Sequence, residues 1–181
     1  EVGGDIWLRG RRGELVSAST GETLKLRCKR SSLDFILEMT SALQPFFSER
    51  GPDRLADYWR HLDAEAIRRL AASDLVTIGS HGAYHLSLGA IESDAARNEV
   101  LSSKAYLENA IDDTVVDFAF PDGSYTREIV EMVAGAGFER QLAVDFLHPE
   151  DAGDPRLLER MGNNPFISWN NQLWSILEGR Y

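Results

Sequence analysis

Two histidines four residues apart stand in the run Ser80-His81-Gly82-Ala83-Tyr84-His85, directly after the apolar stretch Leu75–Gly79. Neutral imidazoles are natural ligands for zinc and similar divalent ions, and a hydrolytic site of that kind needs a third ligand and a position left open for water. If Leu75–Gly79 is a strand, His81 falls at its carboxyl end, where ligands collect in sheets of parallel strands. A second strand end has similar character, because the β-branched and aromatic run Thr114–Phe120 leads into Pro121-Asp122-Gly123-Ser124-Tyr125-Thr126. Blander readings exist for both. One histidine could simply end the strand while the other packs, and Pro121–Gly123 could be an ordinary turn between a strand and a helix.

The elements that would position these residues are legible in three zones. In the first, Glu14–Ser19 and Glu22–Arg27 alternate apolar with polar around Thr20-Gly21 and predict a β-hairpin. Ser31 or Ser32 then caps a helix through about Leu43, ended by Pro45. In the second zone Asp63 caps a helix over Ala64–Ala72 with Ile67 and Leu70 inward, and Leu75–Gly79 reads as a buried strand. A long helix begins at Ser93 and keeps Ala96, Val100, Leu107 and Ile111 on one face. Thr114–Phe120 predicts a strand, Arg127–Ala134 a helix closed by Gly135 and Gly137, and Phe138–Val144 another strand. In the third zone Pro149–Pro165 reads as loop with a helical turn near Pro155–Met161, and Asn171–Leu177 as a helix. Alternating α and β elements imply a parallel sheet or barrel, an α/β fold.

Composition narrows the classes of function. The 181 residues, 43% apolar and 27% charged, suit a single domain spanning 1–181. A net charge of −10 and a pI near 4.8 make nucleic acid an unfavourable partner. The lone Cys28 excludes an intrachain disulfide and a Cys-rich zinc module. No stretch has the length of a membrane helix. Nothing in the sequence specifies the oligomeric state or the compartment.

The run LAASDLVTIGSHGAYHLSLGAI, the long helix after it and VVDFAFPDGSYTREIVEMVAGAGFERQLAV together resemble the polysaccharide deacetylase family, the metal-dependent carbohydrate esterases of group four. Residues 58–147 hold the best-matching core, and about 10–57 would be an insertion or lid. The resemblance implies a distorted (β/α) barrel with an inserted hairpin and helix. It implies a divalent ion, zinc above others, held by His81 and His85, with Pro121, Gly123 and Tyr125 along the substrate groove. The Asp122 backbone N–H becomes a donor to the tetrahedral oxyanion. The implied substrate is an acetylated carbohydrate, N-acetyl before O-acetyl, in a polysaccharide or glycan precursor. Tyr58-Trp59 offers aromatic surface for sugar rings, or core packing.

Departures from the family pattern pose the main question. The Thr-Phe-Asp-Asp-Gly motif, source of a general base and a third ligand, is missing, and Asp112-Asp113 reads as a solvated turn. The opening EVGGDIWL resembles the segment after the family's second strand, so two strands and the helix between them are expected upstream of Glu1. Alternatively the acids are lost, leaving an inactive glycan- or protein-binding module, or Asp5, Asp122 or Asp145 substitutes. Ala119 stands where many members carry an arginine. Leu147-His148 resembles a late Leu-x-His motif that supplies an acid for the leaving amine. It comes early, so His148 reads as a loop residue as well as a candidate acid. His61 reads as a surface or helix-entry residue.

Overall fold

The computed structural model describes residues 3–47, 61–162 and 167–178. Tyr58-Trp59 and Pro165 lie outside them, as do parts of the expected lid and of the expected Pro149–Pro165 loop. The chain opens with β1 (Trp7–Arg9) and β2 (Leu15–Ser17), paired antiparallel with Leu8 opposite Val16. The hairpin expected around Thr20-Gly21 is therefore replaced by one closed at Gly10–Gly13. Its supposed second arm is helix α1 (Leu24–Lys29), started by Thr23, whose side chain accepts the Leu26 N–H. A local cap outcompeted the alternation, since Glu22 also accepts from Arg27 and Arg30 along that helix. Helix α2 (Leu33–Phe47) runs through Pro45 instead of stopping before it. Proline there removes one hydrogen bond close to the helix end, where carbonyls lack helical partners anyway.

Helix α3 (Ala64–Ala71) is capped by Asp63 as expected, and packs on α4 (Ser93–Ile111). Leu70, expected inward, is 39% exposed. The inward stripe of α4 is present, with Ala96, Val100 and Ala110 buried and Leu107 and Ile111 packed against the core. The expected strand Leu75–Gly79 does not form. Leu75 is 95% exposed, and pairing with the sheet begins only at Ser80, whose N–H donates to Asp117 O and whose carbonyl accepts from Ala119 N–H. Apolar composition alone could not make a strand of a segment with no second neighbour among the described residues.

The main sheet is parallel, with order β3 (Asp117–Ala119), β4 (Arg140–Ala143), β5 (Leu157–Glu159). Helix α5 (Arg127–Gly135) links β3 to β4, capped by Thr126 and followed by Gly137 in the left-handed region at φ 87°. Strand β5 takes the place of the helical turn expected at Pro155–Met161. Its signal was weak because only Leu157 of its three residues is buried. Helix α6 (Trp169–Leu177) closes the described chain, with Trp169 and Trp174 exposed. The core gathers Phe118, Phe120 and Phe138 with Val130, Val133, Val100 and Leu88. Edge-to-face contacts put Phe118 5.5 Å from Phe120 and 5.1 Å from Phe138 between ring centres. Two small sheets with helices make a mixed α/β fold, and no closed barrel forms among the described residues. No helix among them is long and apolar enough to cross a membrane.

Candidate functional site

The two histidines lie on the loop that follows Ser80. Ser80 is buried and anchors this loop to α4, its hydroxyl 2.6 Å from that of Ser103 and within reach of the Gly82 N–H. Beyond it the chain turns sharply. Gly82 has φ 79°, and His85 itself adopts φ 59°, a left-handed conformation that costs a non-glycine residue free energy. Glu99 on α4 holds that conformation. Its buried carboxylate accepts the N–H groups of Tyr84 (2.9 Å) and Leu86, the two residues flanking His85. A side chain at position 82 would meet the same carboxylate oxygen at 2.9 Å, which explains the glycine.

His81 Nδ1 lies 2.7 Å from the carbonyl of Ala119, the last residue of β3. A carbonyl can only accept, so Nδ1 carries the hydrogen and Nε2 keeps its lone pair. The His85 ring stands edge-on to it, 4.7 Å between centres. Burial lowers the His81 pKa, and the nearby positive charges of His85 and Arg160 push the same way, against the Ala119 carbonyl and Asp122. The neutral form so favoured is the one that binds a metal. His81 therefore fits a divalent ion in tautomer and charge, and His85 offers a second imidazole beside it. Among the described residues no set of three His, Cys, Asp or Glu side chains converges, so a third ligand is not supplied by them.

The Phe120–Tyr125 turn faces this loop. Asp122 has φ 55° and is its exposed residue, whereas Pro121, Gly123 and Tyr125 are buried. These three, expected along a substrate groove, pack closely against their neighbours. Gly123 sits where a Cβ would touch Val144 at 3.0 Å, and the Tyr125 ring stacks on Phe120 with its hydroxyl donating to Asp151 at 2.6 Å. Burial and that bond push the Tyr125 pKa up to about 12. The Asp122 N–H donates to no other described group, which leaves it available to a ligand. Its carboxylate accepts from Lys29 Nζ (2.5 Å) and Ser87 Oγ (2.9 Å), so α1 reaches across to the turn. Burial works to raise the Asp122 pKa, but Lys29, Ser87 and the charge of His85 outweigh it and hold the carboxyl below its usual range.

Of the other aspartates weighed as ligands, Asp5 is engaged by Ser17 and Ser19 in the N-terminal segment, and Asp145 is exposed. Asp112 ends α4 in a left-handed cap and Asp113 accepts from Thr114, the solvated turn expected of them. His61 is exposed. A groove of 580 Å³ adjoins His81 between Gly79–Tyr84 and the α4 residues Ser102, Ser103 and Tyr106.

His148 lies on the loop after β4. Its ring packs against Tyr125, 6.0 Å between centres, and its Nε2 is buried with no partner among the described residues. Asp151, fully buried, pins this loop by accepting from the N–H groups of Leu147 and His148, the Tyr125 hydroxyl and Arg127. Those bonds outweigh burial and lower the Asp151 pKa, while Arg156 first, then Arg127, lowers that of Asp154. Folded carboxyls below the ordinary 3.8 mean that the unfolded chain binds more protons in acid. Their stabilisation is complete above about pH 5 and lost as pH falls through the folded values. Thermal melts should thus show Tm dropping below about pH 4, with a shallower drop in Asp154→Asn. An unchanged pH profile in that variant would remove Asp154 from the account.

Glu99 and Arg160 were missed in the sequence. Glu99 had a signal, three residues after Ala96 on the inward stripe of α4, where a carboxylate must be spent on something. Arg160 had none, because its position depends on the unrecognised β5.

The family profile described as polysaccharide deacetylase matches residues 46–140, more than half of the chain. No curated protein matches it. Among solved structures it is similar to the Streptococcus pyogenes deacetylase PplD in complex with acetate, at 18% identity and a TM-score of 0.54, over 80% of this chain and 66% of that one. It is also similar to IcaB from Ammonifex degensii, at 16% identity and a TM-score of 0.48, over 83% and 70%. The likeness to PplD is one of fold, and the chain spans 66% of its length.

Proposed function

Because the chain belongs to the polysaccharide deacetylase family, we propose that it hydrolyses acetyl groups, amide-linked in preference to ester-linked, from a polysaccharide or glycan precursor with a divalent metal, zinc first, at His81 and His85. The observation that best supports this is the imidazole pair at the carboxyl end of the sheet, with the His81 tautomer set by Ala119 so that Nε2 keeps its lone pair. When bound, the ion supplies Lewis-acid polarisation of the acetyl carbonyl and activation of water. His81 and His85 would hold it, and Glu99 would keep His85 in place. The Asp122 N–H would donate to the oxyanion that develops at the carbonyl. His148 is the candidate to protonate the leaving amine, on a loop braced by Asp151. Segment about 10–57 would be an insertion or lid, whose described part meets the turn through Lys29.

The test is release of acetate from an N-acetylglucosamine oligomer and from an O-acetylated sugar by the full chain. We expect release from the amide substrate, abolished by a chelator and restored by zinc. Release from the ester alone would overturn the amide preference. No release from either, with zinc present, would leave a module that binds glycan or protein without catalysis.

A further inference from the structure

His85 and Asp122 share one backbone peculiarity, since both lie in the left-handed region, at φ 59° and φ 55°. Glu99 holds the first through the amides of its neighbours. The second is held through its own side chain, by partners from remote parts of the chain. One carboxylate oxygen of Asp122 accepts from Lys29 Nζ at 2.5 Å, 93 residues away, and the other from Ser87 Oγ at 2.9 Å, 35 residues away. Both oxygens are thereby tied. Ser87 is buried and Lys29 is the last residue of α1, so neither partner belongs to the turn that they brace.

That brace fixes the direction of one amide. The Asp122 N–H donates to no described group, and Pro121 and Gly123 on either side of it are buried. Position 82, beside His81, is packed so near the turn that a Cβ there would meet Pro121 at 3.5 Å. The amide therefore lies next to the histidine loop. A donor to an oxyanion works by being fixed in advance and by matching the charge that develops. Here the residue that offers the N–H also carries an anionic carboxylate, and like charges so close oppose the reaction. The ammonium of Lys29 offsets that charge where it stands.

Resting on the deacetylase reading, we infer that Lys29 is a positioning residue of the reaction that acts through Asp122. It holds the turn so that the Asp122 N–H faces the oxyanion, and its charge offsets the carboxylate beside that N–H. The N-terminal segment thus completes the site through α1 and does more than cover it.

Acetate release from an N-acetylglucosamine oligomer, with zinc present, is measured for the full chain as wild type, Lys29→Met, Lys29→Arg and the double variant of Lys29→Met with Asp122→Asn. Thermal melts and the NMR order parameter of the amide at position 122 are recorded for each. Lys29→Met should lower kcat about tenfold at unchanged KM. Its Tm should stay within about 4 °C of wild type, because a partly exposed ion pair contributes little to stability. Arginine should keep most of kcat. Asparagine at position 122 is neutral and tolerates the left-handed region, so the double variant should recover most of what Lys29→Met lost. Wild-type kcat in Lys29→Met, or a double variant as slow as Lys29→Met, overturns the inference. The order parameter should fall from about 0.85 to below ~0.6 in Lys29→Met, and one that stays at the wild-type value overturns the brace. If wild type releases no acetate while that fall is seen, the deacetylase reading fails and the brace stands.

Discussion

Replacing His81 with alanine is expected to remove zinc binding and acetate release together while leaving the fold in place. The imidazole is partly buried, and its single observed bond to the protein is Nδ1–H to Ala119. Losing that bond costs about 1 kcal/mol, a modest change for a domain of this size. Losing the Nε2 lone pair removes one of two imidazoles that converge. Losing only the partner that orients a ligand typically costs about 10–100-fold in metal affinity, so losing the ligand should cost at least ~100-fold. Zinc titration by calorimetry reads the first quantity and melting of the metal-free protein the second. Unchanged zinc affinity in His81→Ala would remove these histidines from the site. His85→Ala should behave alike, and since alanine keeps the Cβ it still carries the backbone strain at φ 59°.

A carboxylate that never touches the metal should matter nearly as much. Glu99→Ala leaves the N–H groups of Tyr84 and Leu86 without their acceptor beneath the loop that carries His85. Each unmet buried donor costs about 1–3 kcal/mol, so a loss of about 2–6 kcal/mol and a fall in Tm of about 5–25 °C are expected. Zinc affinity should fall by about 10–100-fold, because His85 can leave its left-handed conformation once the flanking amides are released. Glu99→Gln keeps one acceptor oxygen and should lie between the two. Wild-type stability and zinc affinity in Glu99→Ala would mean that Gly82 and Ser80 hold the loop unaided.

The site was partly readable before any fold was known. His81, His85 and the Pro121–Gly123 turn were recognisable as candidates because candidate metal ligands and tight turns show as particular side chains at short spacings. The α5 helix and the inward face of α4 were readable because a cap and a 3.6-residue period are local. Arg160 was invisible, since its place beside His81 depends on β5 lining up with β4. The surroundings of Tyr125 were equally hidden, since an aromatic residue after the turn suits a groove as well as a core, and its bond to Asp151 joins residues 26 positions apart.

By itself the sequence determined the chemistry on offer: imidazoles at a metal-ligand spacing, a Pro-Asp-Gly turn after an apolar run, alternating helices and strands, and membership of a polysaccharide deacetylase family. Those features depend on residue types within a few positions of one another. Tertiary structure alone decided which strands pair, that the apolar run before Ser80 stays out of the sheet, that α1 reaches Asp122 through Lys29, and that Arg160 donates to the Phe120 carbonyl. Pairing and burial are settled by partners far away in the chain, and no local pattern encodes them.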